Sequence, residues 1–181
     1  MRLFLKRILL ILFFLSWTLS HAQPSEYIIK GVIIEKITRF ISWPESVLSK
    51  KDTSQNFILG VIGNSPFENI LEEIYKNQTI KNKHVEIRYL TALTQIDRCH
   101  LLFISNISTS NLKKILNLVQ DQPILTVSDN EIYSGKGVMV NLKTEQSKVR
   151  FEIDEQAIKN SKFTVSYLLL MEAEIVNQVR E

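Results

Sequence analysis

Apolar and polar positions change rhythm several times along this chain, and each rhythm predicts a different element. In EYIIKGVIIEKITRFISWPES, residues 26–46, Ile29, Val32, Ile33, Ile37, Phe40 and Ile41 fall at helical i, i+3, i+4, i+7 spacing, with Lys36 in the same stripe. Glu26, Lys30, Glu35 and Arg39 lie mostly off it. Ser25 suits an N-cap. Pro44 disfavours helical geometry at Trp43, so the helix is expected to end near Ile41 or Ser42. Ile29, Ile33, Ile37 and Phe40 are expected to lay it on a sheet.

The next units alternate between strand and helix. Phe57–Ile62 is a continuous apolar run, the pattern of a strand covered on both faces. Gly63-Asn64-Ser65-Pro66 then turns into a helix expected from Pro66 to about Lys76. Val85, Ile87 and Tyr89 alternate with Glu86 and Arg88, a half-exposed strand, followed by a short helical turn around Ala92–Ile96. Leu101–Ile104 is a second buried-strand run, and Ser108 or Ser110 caps a helix to about Val119. Pro123–Val127 reads as a strand closed by Ser128-Asp129-Asn130.

Beyond Gly135 and Gly137, two alternating runs at Val138–Leu142 and Val149–Asp154 predict a hairpin around a polar loop, Lys143–Lys148. Asp154 caps a short helix, and a last helix is expected from about Thr164 to Val179, burying Leu168, Met171, Ile175 and Val179. This order predicts one α/β domain with three layers: a mixed sheet flanked by helices, parallel early, with an antiparallel hairpin near the C-terminus. Ser49–Gln55 reads as a loop.

The N-terminus changes the reading of the charge. Arg2, Lys6 and Arg7 precede a 12-residue apolar run, Ile8–Leu19, and Ser20-His21-Ala22 is a small-x-small site. That is the layout of a secretory signal peptide, and the run is short of the roughly 20 residues that span a bilayer. Cleavage after Ala22 is expected, leaving a domain of residues 23–181 outside the cytoplasm. The leader removes three of 22 basic residues, so 19 remain against 19 acidic ones. The sequence pI near 8.9 is thus largely a feature of export and does not suggest nucleic-acid binding. The single cysteine, Cys99, allows neither an internal disulfide nor a Cys-rich zinc site.

Catalytic patterns are sparse. No G-x-S-x-G, P-loop, H-E-x-x-H or G-x-G-x-x-G occurs. Cys99 and His100 are adjacent, and neighbours on a strand point to opposite faces, so they do not easily make a nucleophile–base pair. The Gly63–Phe67 segment enters a helix, where backbone N–H groups can hold an anion, although a simple turn explains it as well. Arg150 and Glu152 share a strand face that reads as solvated. No catalytic, cofactor-binding or metal-ligating residue is singled out, and no cofactor is called for.

The motifs also come in a definite order. It begins with E-Y-x-x-K at Glu26, Tyr27 and Lys30 and R-F-x-x-W-P ending at Pro44. It continues with Gly63-x-x-Pro66-Phe67, C-H-x-L-F-I-S at Cys99–Ser105, and I-L-T-V-S-D at Ile124–Asp129. G-x-G-V-M-V-x-L at Gly135–Leu142, V-R-F-E-I-D at Val149–Asp154 and S-x-L-L-L at Ser166–Leu170 complete it. Over residues 24–176 this string resembles the YfiR family. The resemblance implies a periplasmic, non-enzymatic regulator that represses a membrane signalling protein, a diguanylate cyclase or a sensor kinase. It also implies an outer-membrane lipoprotein as a second partner, a homodimer, and either cyclic-di-GMP or a phosphorelay downstream. The redox-linked disulfides of the type member do not transfer, because Cys99 stands alone.

Candidate positions for a partner or ligand surface are Trp43, Pro44, Gly63, Pro66, Phe67, Ser128, Asp129, Arg150 and Glu152. Trp43 is read either as pure architecture or as a partly exposed binding residue, since Trp is favoured at hot spots. Two other readings stay open. One is a small-molecule-binding module using the Gly63 loop at a strand's C-terminal end. The other is a hydrolase using Ser105, His100 or Asp129.

Overall fold

The computed structural model describes residues 26–48 and 55–177. The export leader, the Ser25 cap, most of the Ser49–Gln55 loop and the end of the predicted last helix lie outside the described residues.

The chain opens with helix α1 (Glu26–Arg39) and a two-residue strand β1 (Ile41–Ser42). Then come β2 (Phe57–Ile62), α2 (Ile70–Tyr75), β3 (Thr79–Ile80), β4 (Lys83–Leu90), a 3-10 turn at Leu93–Arg98 and β5 (Leu101–Ile104). Helix α3 (Thr109–Val119), β6 (Leu125–Ser128) and a 3-10 turn at Glu131–Tyr133 follow. The last third holds β7 (Val140–Glu145), β8 (Lys148–Asp154), α4 (Glu155–Lys159), β9 (Thr164–Val165), α5 (Tyr167–Glu172) and β10 (Glu174–Val176).

Eight strands form one sheet in the order β10-β8-β7-β6-β5-β2-β4-β3. Strands β4, β2, β5, β6 and β7 run parallel, and β8 returns antiparallel to β7 as the predicted hairpin. β10 adds parallel to β8 at one edge, and β3 pairs antiparallel with β4 at the other. β1 and β9 pair separately, Ile41 opposite Val165.

Alternation along the strands sends side chains to two cores. Leu59, Val61, Leu101, Phe103, Leu125 and Val127 meet Ile34 and Ile37 of α1 and Leu71 and Tyr75 of α2. On the other face Leu102 and Ile104 meet Leu112, Ile115 and Val119 of α3. This is why β2 and β5 read as unbroken apolar runs: both of their faces are covered. Two caps are where the sequence places them. Ser108 Oγ accepts from Asn111 N at 3.3 Å, and Asp154 Oδ1 accepts from Ala157 N at 2.8 Å.

Several expectations are corrected. Helix α1 stops at Arg39, and its inner side is Lys30, Gly31, Ile34, Glu35, Ile37 and Thr38. Phe40 is 39% exposed instead of buried, and Ile33 is only half-buried. Two forces shift the stripe. Lys30 and Glu35 are buried with ion-pair partners, and Gly31 lets α2 come close, since a Cβ there would collide with Ile74 Cδ1. Helix α2 starts at Ile70, not Pro66, because Glu68 takes a left-handed φ of +47°. The Lys143–Lys148 loop is instead strand up to a two-residue turn, Gln146-Ser147, both at positive φ. The predicted last helix is three elements, β9, α5 and β10.

Candidate functional site

The parallel strands reverse their order of progression between β2 and β5, the place where open α/β sheets usually admit ligands. Here the loops that leave those strands are tied together. Asn64 bridges Asn106, and Ser105 Oγ donates to Asn64 O at 2.7 Å. Gly63 sits at φ +97°, and a Cβ on it would stand 2.7 Å from Ile107 Cγ2. Tyr133 OH accepts from Ile107 N at 2.9 Å and donates to Ile107 O at 2.6 Å. Gly63 and Pro66 are exposed on the rim of this knot.

Beside it lies a buried polar cluster. Tyr27 OH donates to Asp129 Oδ2 at 2.8 Å, and Lys30 Nζ to the same oxygen at 2.9 Å. Lys30 also meets Glu26 at 2.6 Å, and Glu26 accepts from Thr144 Oγ1 at 2.8 Å. The Tyr27 ring stands edge-on to Phe67 at 5.1 Å, and Phe67 edge-on to Phe103 at 4.9 Å. Ser128 Oγ donates to Ile104 O at 2.6 Å and accepts from Asn130 N, which sets the bend that aims Asp129. Helix α1 is thereby clamped to the ends of β6 and β7.

The clamp's electrostatics are those of a structural lock. Burial and the Asp129 carboxylate push the Tyr27 phenol up to about 12. Burial lowers the Lys30 ammonium, but the hydrogen bonds to Asp129 and Glu26 outweigh it and the net shift is upward. The Lys30 hydrogen bond draws the Glu26 carboxyl below its usual range. A phenol that far from neutrality is a poor general acid or base.

At the other end of the sheet Trp43 belongs to the core. It is 7% exposed, Nε1 donates to His100 O at 3.1 Å, and its ring meets Phe57 and Phe163 edge-on. Partial exposure of Trp43 is therefore not realised, because its indole fills the gap between α1's exit and β2. The half-buried Pro44 offers its carbonyl to Val47 N at 2.9 Å. His100 Nδ1 accepts from Ile58 N at 2.9 Å, while Cys99 joins the opposite core. Burial, then Lys83 and Arg88, hold the His100 imidazole below 6.5, and burial pushes the Cys99 thiol up to about 11. That thiol is inert and cannot work with an imidazole on the other face. Among the described residues no group of three or more His, Cys, Asp or Glu is placed to hold a metal ion.

On β8, Arg150 projects into solvent, but Glu152 does not: it is buried and meets Lys143 Nζ at 3.2 Å. The expected solvated face is thus half correct. Lys143 gathers Glu145 at 3.0 Å and Glu174 as well, and these hydrogen bonds raise its pKa. Asn141, paired in register with Glu152, has no partner for either amide atom among the described residues.

Four of the nine exposed large hydrophobic residues among the described residues lie within one short segment. Tyr167, Leu168, Met171 and Ile175 are 72%, 62%, 65% and 43% exposed. They sit on α5 and on β10, whose outer edge pairs with no strand among the described residues. Leu169 faces inward and anchors the segment to the core.

The family profile described as YfiR/HmsC-like matches residues 27–174, from Tyr27 of the clamp to the first residue of β10. The chain belongs to the YfiR/HmsC-like family. No curated protein matches the chain closely enough to count as a relative. The YfiR/HmsC-like family is known as a regulatory domain, not an enzyme, and it is consistent with a periplasmic regulator of cyclic-di-GMP signalling. Among the described residues no helix of this YfiR/HmsC-like chain is long and apolar enough to cross a membrane.

Of the candidate positions, the fold joins Phe67, Ser128 and Asp129 at the clamp and sets Gly63 and Pro66 on the adjoining rim. Trp43 with Pro44, and Arg150 with Glu152, stand apart. Tyr27 and Lys30 are the clamp residues that site reasoning missed, although a lysine beside an apolar stripe, four residues after Glu26, carried the signal. The α5–β10 surface was missed because its apolar spacing reads as a buried helical face.

Proposed function

We propose that this chain is a periplasmic, non-enzymatic regulator that binds a membrane signalling protein, a diguanylate cyclase or a sensor kinase, and represses it. The observation that carries this is the α5–β10 surface in a chain of a regulatory family. Four large apolar side chains stand in solvent within nine residues, Tyr167–Ile175, beside an open sheet edge. Contiguous exposed apolar surface of this kind marks protein interaction sites, and an open edge offers backbone groups for strand addition. Exposed Glu172 flanks it, while Glu174 is already paired with Lys143, so the partner's contact surface is chiefly apolar. The leader at residues 1–22 supports export, and the domain that acts is residues 23–181.

Repression works by population shift: the regulator binds the inactive arrangement of the partner more tightly and so holds it there. Homodimer formation and sequestration by an outer-membrane lipoprotein fit the same reading. The test is deletion of the gene with cyclic-di-GMP and kinase output measured, followed by complementation. Deletion raises output, and the native chain restores repression. Leu168→Glu/Met171→Glu accumulates normally yet fails to restore it. Unchanged output on deletion overturns the proposal.

A further inference from the structure

A second recognition feature lies between α3 and the Gly135–Gly137 loop. A half-open cleft of about 540 Å³ runs there, within the size range of ligand pockets. Its apolar part is Leu112 and Leu116 of α3, Met139 and Ala157. Its polar part is one-sided. Lys113 and Lys136 line it, and none of its 14 lining residues is Asp or Glu, although the chain after the leader carries equal numbers of acids and bases. Neither lysine forms an ion pair with a described residue. Asp154, the last residue of the adjoining β8, is occupied by Ala157 N and Gly137 N.

The lining also contains a hydroxyl that acts only as an acceptor among the described residues. Thr126 is 1% exposed, and its Oγ1 accepts from Met139 N at 3.0 Å. The proton of that hydroxyl has no acceptor among the described residues. A buried hydroxyl gains by donating, and an anion is the strongest acceptor it can meet. The cleft is also elongated: its helical wall runs from Thr109 to Gln120, about 16 Å at 1.5 Å per residue.

We propose that this cleft binds a small amphipathic anion, an alkyl chain ending in a carboxylate. The chain lies along Leu112, Leu116 and Met139, and the carboxylate meets Lys113, Lys136 and the Thr126 hydroxyl. This site uses none of the α5–β10 residues, so its failure leaves the partner reading intact.

The test is calorimetric titration of the full chain, recovered from the periplasm, with decanoate, with decanol and with phosphatidylglycerol vesicles. Decanoate binds one per chain and about tenfold more tightly than decanol. The Lys113→Gln/Lys136→Gln variant loses that preference, keeps its decanol affinity and unfolds at the native temperature. Leu116→Glu weakens both ligands. Equal affinity for decanoate and decanol overturns the proposal, as does an unchanged preference in the lysine variant, binding to vesicles alone, or no binding of decanoate.

Discussion

Asp129 is the perturbation that tests the clamp most sharply. One carboxylate oxygen holds both Tyr27 OH and Lys30 Nζ across a sequence separation of about one hundred residues. At 2.9 Å and an effective dielectric constant near 20, the Lys30 attraction is about 6 kcal/mol gross. Most of that is offset by taking both groups out of water. Asp129→Ala removes the attraction but not the cost, and leaves a lysine that is 4% exposed without its main partner. Loss of one partner from a buried pair costs about 3–5 kcal/mol. Glu26 still reaches Lys30 at 2.6 Å, which places the expected loss near the lower end, about 3 kcal/mol. For a domain of this length that lowers Tm by roughly 6–12 °C. Urea and thermal unfolding followed by circular dichroism measure it. The paired change Lys30→Met/Asp129→Leu replaces the charges with apolar groups of similar size and should lie within about 1 kcal/mol of the native chain. A loss under about 1 kcal/mol in Asp129→Ala, or a paired variant as unstable as the sum of the single ones, refutes the reasoning.

Other outcomes follow from single contacts. His100 has its native pKa held below 6.5, so the unfolded chain takes up a proton that the native state refuses. Its contribution is complete above pH 6.5 and falls by up to about 1.4 kcal/mol per pH unit below it, a slope that His100→Gln removes in urea titrations between pH 7 and 5.5. Trp43→Ala opens a void between Phe57 and Phe163 and should cost about 3–5 kcal/mol by the same assay. Gly31→Val drives a side chain into Ile74 and should cost about 1–3 kcal/mol, relieved by Ile74→Ala. Leu168→Ser removes an exposed side chain and should change stability by less than about 0.5 kcal/mol while weakening repression.

The sheet is legible because its information is local. Phe57–Ile62 and Leu101–Ile104 carry only apolar side chains and one glycine, and their shortness favours a strand covered on both faces over a buried helix. Ser108 and Asp154 act through hydrogen bonds within three residues, so their caps can be read from spacing. The misread parts depend on distant partners. Glu174-Ile175-Val176 continues a helical apolar rhythm, yet those residues pair with Glu152-Ile153-Asp154 of β8. Pairing with that edge stops α5 at Glu172 and turns Leu168 and Met171 outward. Lys30 reads as solvated because lysine usually is, and only the carboxylate at Asp129 makes its burial tolerable. Asp129 is visible as a strand-ending residue, but its two donors lie at the other end of the described chain.

The measurement closest to the central claim is site-specific photo-cross-linking in intact cells. A photoreactive residue is placed in turn at Leu168 and Met171 on the apolar surface, and at Leu118, which is exposed on α3. The account predicts a cross-link from positions 168 and 171 to a membrane signalling protein, and none from 118. A membrane signalling protein captured equally from 118, or no such protein captured from 168 and 171, contradicts it.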